Sequence, residues 1–294
     1  MSTHSTLLKG EFTSTDEQYA LAHAYVPEHI PALMATISHA VSFLVEDYLG
    51  FTKDNWVIFV GYPLVNRFDS ARCNEIVAQI VATYHPEYLW FIGPEIPPAL
   101  AQSCRARQTD RYYRLDLAPT PIKASLQREV NQAAKTLTVE RTRAWTKEHQ
   151  ALTDELMRRE KLPPLIAELY RAMPEYVARC ETACVLNARD ARGKLSAFFV
   201  VELAAEPFDT YVLGCHSKKN YTPHASDLLF AEMIALACER GKPAINLGLG
   251  VNAGITRFKT KWGGVPYLKY EFCECYSGSQ GRVSIVDLLL GEKL

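Results

Sequence analysis

The stretch from Ala183 to Cys275 constrains the fold most. Ala183 to Asn187 and Ser196 to Leu203 are apolar runs on either side of the turn Asp190-Ala191-Arg192-Gly193, and Thr210 to Gly214 follows Glu206-Pro207. Three such runs with short connections predict an antiparallel meander. From Asp227 to Arg240 the period changes. Leu229, Phe230, Met233, Ile234 and Ala237 form one stripe at helical spacing; Ser226 is placed to cap the helix, Asp227 suits its positive end, and Gly241 stops it. Ala244 to Leu247 is again a strand, and Gly248, Gly250 and Gly254 punctuate a loop. A short helix over Thr256 to Trp262, a strand over Tyr267 to Cys275 and a helix over Val283 to Leu290 complete the reading. A meander, a helix and a further strand bury their apolar faces by packing helix on sheet, which predicts an α/β protein.

The first half alternates in a similar way. Trp56 to Gly61 reads as a buried strand, Ser70 to Tyr84 as a helix through Ile76, Val77, Ile80 and Val81, and Tyr88 to Ile92 as a second strand. Strand, helix, strand with short turns predicts a parallel pair. Arg111 to Leu117 is a further strand, and Ala118 to Pro121, with two prolines in four residues, is the predicted linker. Helices then follow over Ser125 to Lys135, Trp145 to Arg159 and Leu165 to Arg179, with a strand at Thr136 to Arg141. The chain of 294 residues accommodates two domains, divided as 1–117 and 118–294.

Composition narrows the function classes. A net charge of −1 makes the whole molecule no electrostatic magnet for nucleic acid or anionic membrane. No run approaches the roughly 20 apolar residues of a membrane helix. Met1 to Glu11 is polar and does not read as a signal peptide, so a cytoplasmic location is expected. Eight cysteines are too sparse for a disulfide scaffold. Cys180 and Cys184 stand at i, i+4, while Cys273 and Cys275 alternate along a strand; neither set has the spacing of a zinc site, and buried thiols are expected with no metal.

The segment Leu228 to Pro266 carries a resemblance. A helix ending Glu239-Arg240-Gly241, the strand Ile245-Asn246-Leu247-Gly248, and then Thr256-Arg257-Phe258-Lys259-Thr260-Lys261-Trp262-Gly263-Gly264 resemble the Fem-type (FemABX) branch of the GNAT acyltransferase superfamily. That branch includes peptidoglycan-bridge aminoacyl transferases and phosphatidylglycerol lysyltransferases. Leu126 to Glu140 also looks like the helix and first strand of that family's second unit. The resemblance covers residues 122 to 275. It implies tandem GNAT-like units, each a mixed, mostly antiparallel sheet flanked by helices, and an N-acyltransferase with no covalent intermediate. The implied donor is an acyl-CoA, an acyl carrier protein or an aminoacyl-tRNA, and the acceptor an amine or hydroxyl of a small molecule. A binding or sensor module without turnover on the same scaffold is the alternative.

Candidate site residues follow from both readings. Arg240, Lys242, Arg257, Lys259, Lys261 and Lys269 give residues 240 to 270 a charge of +6 with no Asp or Glu, suited to an anionic donor. The family's Phe-Lys pair maps onto Phe258 and Lys259, which makes Lys259 the first candidate for contacting the donor, followed by Lys261 and Arg257. The place where many CoA-dependent GNATs carry a glycine-rich pyrophosphate loop reads Cys215 to Ser226 here, without a glycine pair, though Lys218 and Lys219 could hold a phosphate. His216 and His224 are candidate bases, and Tyr221 and Tyr267 candidate proton carriers. Asn246, polar on an apolar strand, is a candidate site wall. Cys215 reads as packing, since no Cys–His pattern accompanies it.

Overall fold

The computed structural model describes residues 11–117 and 122–276. The Ala118 to Pro121 linker, the N-terminal tail through residue 10 and the Val283 to Leu290 helix lie outside the described residues. From its N-terminal side the chain forms α1 (Ser14–Ala22), α2 (Pro31–Ser38), β1 (Val41–Val45), β2 (Tyr48–Lys53), β3 (Trp56–Val60), α3 (Ser70–Tyr84), β4 (Tyr88–Gly93), α4 (Pro98–Ala101) and β5 (Cys104–Asp116). It continues through α5 (Ala124–Ala133), β6 (Leu137–Thr142), α6 (Lys147–Arg159), α7 (Pro164–Arg179), β7 (Ala183–Asp190), β8 (Leu195–Glu202) and β9 (Asp209–His216). Then come α8 (Ala225–Glu239), β10 (Ala244–Leu249), α9 (Ala253–Lys261) and β11 (Val265–Tyr276).

Two compact units emerge. The first takes in 11–113, Leu249–Ala253 and 266–276; the second takes in 114–117, 122–248 and Gly254–Val265. Among the described residues no helix is long and apolar enough to cross a membrane.

In the first unit β1, β2 and β3 form an antiparallel meander, and β4 returns parallel to β3. Helix α3 makes the crossover. Asp69 caps it by accepting from the amides of Ala71 (2.8 Å) and Arg72 (3.3 Å), and Cys73, Ile76, Val77 and Ile80 bury one stripe at i, i+3, i+4, i+7. His85 ends it in the left-handed region. On its far side β4 is joined antiparallel by β11. The core between this sheet and α3 is built of Phe43, Val57, Phe59, Leu89 and Phe91 with Cys273 and Cys275.

The second unit repeats the scheme. Strands β6 to β9 form an antiparallel meander, α8 crosses over, and β10 runs parallel to β9. Helix α8 packs on β7, β8 and β9 and against α5. Leu228, Leu229, Phe230, Met233, Leu236 and Ala237 are its buried apolar face, while Ile234 is only half-buried. Its start differs from the expected cap: Ser226 lies inside the helix, and His224 occupies the N-cap with φ 62° and ψ 15°. Gly241 ends it at φ 68°, as the sequence predicts. Behind the meander, His149 of α6 is fully buried and neutral. The Thr146 amide donates to its Nδ1 (3.0 Å), so Nε2 carries the proton and donates to Asn187 Oδ1 (2.8 Å).

Candidate functional site

The site is built where β9 and β10 part. Their parallel ladder holds over two residue pairs, Ile245 with Asp209 and Asn246 with Thr210, and then the strands diverge. Each strand has a local reason to turn away. The register of β9 against β8 shifts between Val200 and Val201, which leaves Val212 as an extra residue and bends the strand. On β10, buried Asn246 folds its side chain back so that Oδ1 accepts from the Gly248 amide at 2.8 Å, and Gly248 takes φ 70°. Asn246 is therefore a wall residue that shapes the opening through its own backbone.

Lys259 reaches into this opening from α9. It is 3% exposed, its Nζ lies 5.9 Å from the centre of the Tyr211 ring, and a side chain on Gly248 would sit 4.0 Å from that Nζ. A lysine ammonium over a tyrosine face is held by the ring quadrupole. Tyr211, which follows the last paired residue of β9, is a site residue that the sequence reading did not single out. Gly214 closes the same wall: a Cβ there would meet Tyr211 Oη at 2.6 Å and the Phe199 ring at 2.5 Å, and its carbonyl accepts from Tyr170 Oη at 2.7 Å.

Helix α9 is anchored by its C-terminal end. Lys261 Nζ sits 2.7 Å from Asp227 Oδ1 and 2.5 Å from Glu129 Oε2, and Trp262 Nε1 donates to Asp227 Oδ1 at 3.0 Å. Trp262 and Phe258 pack on Phe230 of α8, at 4.8 and 5.5 Å between ring centres. Lys261 and Phe258 thus hold the helix that presents Lys259, and the Lys261 ammonium is engaged by two carboxylates rather than offered to a donor. His224 joins this cluster, with Nδ1 3.3 Å from Asp227 and 3.6 Å from Glu129. Glu129, His224 and Asp227 bring metal-ligand atom types within 4.8 Å of one another, but Lys261 already supplies a cation there.

The remaining nominated residues are dispersed. His216 ends β9, roughly 16 Å of strand beyond Tyr211, with its ring 6.5 Å from that of Tyr221. Burial, followed by Lys218 and Arg159, pushes its proton affinity down. Lys218 Nζ lies 5.6 Å from the Tyr221 ring, and Tyr221 is exposed. The loop that carries Lys218 and Lys219 already holds an anion. Glu155 accepts from the Lys218 amide at 2.6 Å and from Ser217 Oγ at 3.2 Å. Burial pushes the Glu155 carboxyl up, but the amides of Lys218 and Lys219 and the Ser217 hydroxyl hold it below its ordinary range. Tyr267 belongs to the first unit, where its hydroxyl donates to the Tyr25 carbonyl at 2.5 Å. Cys215 is buried, its thiol pushed up to about 12 chiefly by burial, so it packs rather than reacts.

The +6 stretch does not form one patch. Arg240 pairs with Asp209 (3.3 Å) and Lys242 donates to the carbonyls of Ala205 (2.6 Å) and Glu206 (3.0 Å). Lys259 is buried and Lys261 is paired, which leaves Arg257 and Lys269 exposed. Sequence spacing could not reveal this, because Asp209, Glu129 and Asp227 are far from the basic run along the chain.

No protein-family description matches the chain, and no curated protein matches it in sequence. Solved structures do share its fold. L-PGS from Bacillus licheniformis superposes with a TM-score of 0.57 at 17% identity, covering 96% of each chain. FemX gives 0.54 at 10% identity, over 81% of this chain and 90% of that one. A GCN5-related N-acetyltransferase from Kribbella flavida gives 0.51 at 13%, over 85% and 96%. At these identities the likeness is one of fold. This chain shares the fold of these structures, a GCN5-related N-acetyltransferase and FemX among them, and that is the fold which the resemblance over residues 122 to 275 implies.

Proposed function

We propose that the chain is an acyltransferase that moves an acyl or aminoacyl group directly from an activated donor to an amine or hydroxyl, with the reacting groups in the second unit. The observation that carries this reading is the buried Lys259 ammonium in the opening between β9 and β10. A cation held there in a low-dielectric wall suits one task above others: receiving the negative charge that grows on a donor carbonyl oxygen as a nucleophile attacks. The acceptor amine bonds to the carbonyl carbon, the bond to the donor's oxygen or sulfur breaks, and the departing group takes up the proton that the amine loses. Gly248, without a side chain, leaves room for the carbonyl near Lys259.

The filled loop at Lys218 and Lys219 favours a donor class. Where a CoA pyrophosphate would need free amides, Glu155 occupies them. This supports an aminoacyl ester such as aminoacyl-tRNA, or an acyl carrier arm, over a CoA thioester. One observation favours the second reading, a binding module without turnover: His216, the nominated base, stands well along β9 from Tyr211.

Thermal shift with CoA, CoA thioesters and an aminoacyl-tRNA minihelix, on the native protein and Lys259→Met, tests the proposal. A ligand that binds only the folded state raises its melting temperature. The expected result is stabilisation by the aminoacyl minihelix, lost in Lys259→Met. Stabilisation by a CoA thioester would overturn the donor assignment, and tight binding with no transfer to any amine acceptor would establish the module.

A further inference from the structure

Cys273 and Cys275 are a cysteine pair from the sequence that the proposed transfer site does not use. They sit on the same face of β11, because residues two apart on a strand point the same way. Their sulfurs are 3.4 Å apart in the core of the first unit. Two strand steps separate the Cα atoms by roughly 6.6 Å, inside the upper end of the range that a disulfide spans. A disulfide holds its Cβ atoms about 3.5–4.5 Å apart, so closing the pair also draws β11 in locally between Cys273 and Cys275.

Access is uneven between the two. Cys273 is fully buried, whereas Cys275 lines a groove of about 480 Å³ on the first unit, together with Val81, Leu100, Ser103 and Tyr276. The groove also gives Cys275 a polar neighbour, since Ser103 Oγ donates to its sulfur at 3.5 Å. Cys104 is a third thiol close to Cys273.

We propose that Cys273 and Cys275 form a peroxide-reactive dithiol that closes to an intramolecular disulfide, with Cys275 as the attacking sulfur and Cys273 as the resolving one. The assignment of roles rests on access: Cys275 faces the groove, where it accepts from Ser103 and its own thiol reaches the Leu100 carbonyl at 3.8 Å, and Cys273 lies behind it. Electrostatics agrees. Donation from Cys273 and then from Ser103 outweighs burial and holds Cys275 near 7, while the same contact and burial push Cys273 upward, so Cys275 is the thiol that ionises first. The Cys275 thiolate attacks one oxygen of hydrogen peroxide and the O–O bond breaks. Hydroxide leaves and takes a proton to become water, and the sulfur is now a sulfenic acid. Cys273 attacks that sulfur and the S–O bond breaks. The hydroxyl departs with the Cys273 proton as a second water. Two thiols are oxidised to one disulfide, and one peroxide is reduced to two waters. This chemistry is independent of acyl transfer.

The sequence makes the test direct. Cleavage after Lys269 and Arg282 places both cysteines on one tryptic peptide, 270–282, and Cys104 on another. The full chain is treated with hydrogen peroxide, alkylated, digested and mapped by mass. The expected result is a loss of about 2 Da confined to peptide 270–282, reversed by dithiothreitol, and formed on the order of tenfold faster than oxidation of the exposed Cys238. Cys104→Ser should keep the reaction, and Cys273→Ser should leave Cys275 at the sulfenic acid or beyond. A disulfide to Cys104, over-oxidised Cys275 beside an alkylatable Cys273 in the native protein, or an inert pair while Cys238 reacts would each overturn the proposal. Mapping of the native chain decides the matter even where a variant fails to fold.

Discussion

The two units contain the same device, a parallel strand pair bridged by a helix of 15 residues, and use it differently. In the first unit β3 and β4 stay paired along their whole length, from Trp56 with Tyr88 to Val60 with Ile92, and Gly61 adds a further bond to the Ile92 carbonyl at 2.6 Å. In the second, β9 and β10 part after two pairs. The closed pair is filled by aromatic rings: a Cβ on Gly61 would sit 2.3 Å from the Phe91 ring, and one on Gly93 at 2.4 Å. The open pair has a bulge on one strand, a left-handed glycine on the other, and a lysine ammonium between them. A sheet that closes on its own side chains gains stability. One that opens onto a buried cation leaves room that its own side chains do not fill. Under the proposed function, the first pair serves packing and the second serves the transfer.

The largest expected effect is at Lys259. Lys259→Met keeps the stem and volume and removes the charge. Turnover should fall by about 10²–10³, the usual loss when one stabiliser of a developing oxyanion is removed, while urea unfolding remains cooperative. Activity within a few-fold of the native protein would leave the opening without a catalytic role, and the contrast between the pairs would be one of packing alone.

Glycine substitutions sharpen the same contrast. Gly61→Ala drives a methyl into the Phe91 ring and should destabilise the protein by about 1–3 kcal/mol, the range for overpacking a core. Gly248→Ala meets nothing closer than 3.7 Å, so its penalty is the left-handed backbone alone, about 1–2 kcal/mol. The measurable distinction lies in the ligand: Gly248→Ala should weaken donor binding and Gly61→Ala should not. Equal ligand effects in equilibrium urea and thermal-shift experiments would erase the assignment.

How much of this was legible follows the same division. β3, α3 and β4 were readable because Ile76, Val77 and Ile80 keep a clean helical period between two apolar runs. The β7 to β9 meander, α8 and β10 were readable for similar reasons. The segment from Ser14 to Lys53 was not. Helix α2 is short and buries Leu33, Met34 and Ser38 without an amphipathic stripe. The β1–β2 connection is a two-residue turn at Glu46 and Asp47, where Glu46 takes φ 52° without the Asn-Gly or Asp-Gly signal of such turns. At the site, Lys259 was legible from its motif. Tyr211 carried no signal, and the pairing of Lys261 with Glu129 and Asp227 depends on contacts that only the fold creates.

That pairing gives a smaller test. Asp227→Asn keeps an acceptor for Trp262 Nε1 but removes the charge that holds Lys261. Lys261 is about one-third exposed, so solvent screening limits the loss to about 1–2 kcal/mol. If α9 positions Lys259, the variant should also lose turnover several-fold without a matching change in binding of the acceptor. A loss of stability alone would mark the cluster as structural.

The mildest distinction is in pH. In the second unit, burial pushes the proton affinity of both His149 and His216 below the ordinary 6.5. A folded state that favours the neutral ring binds fewer protons than the unfolded chain, so this stability is present above about 6.5 and lost as pH falls below it. In the first unit two neighbours oppose each other. Burial holds His29 down to about 4, with the same sign, but it raises Glu28 to about 7 from 4.5. A raised carboxyl takes up its proton first in the folded state, so its contribution is full below 4.5 and fades as pH rises toward 7. Between 4.5 and 6.5 the two therefore offset, whereas in the second unit the histidines act together, moderated by Asp209, whose carboxyl burial also raises. Hydrogen exchange followed by mass spectrometry at about pH 7 and about pH 5, corrected for intrinsic rates, should show protection falling further in β7 to β9 than in β3 and β4. An equal or reversed loss would mean that the open pair is no more acid-labile than the closed one, and that His149 and His216 do not set the difference.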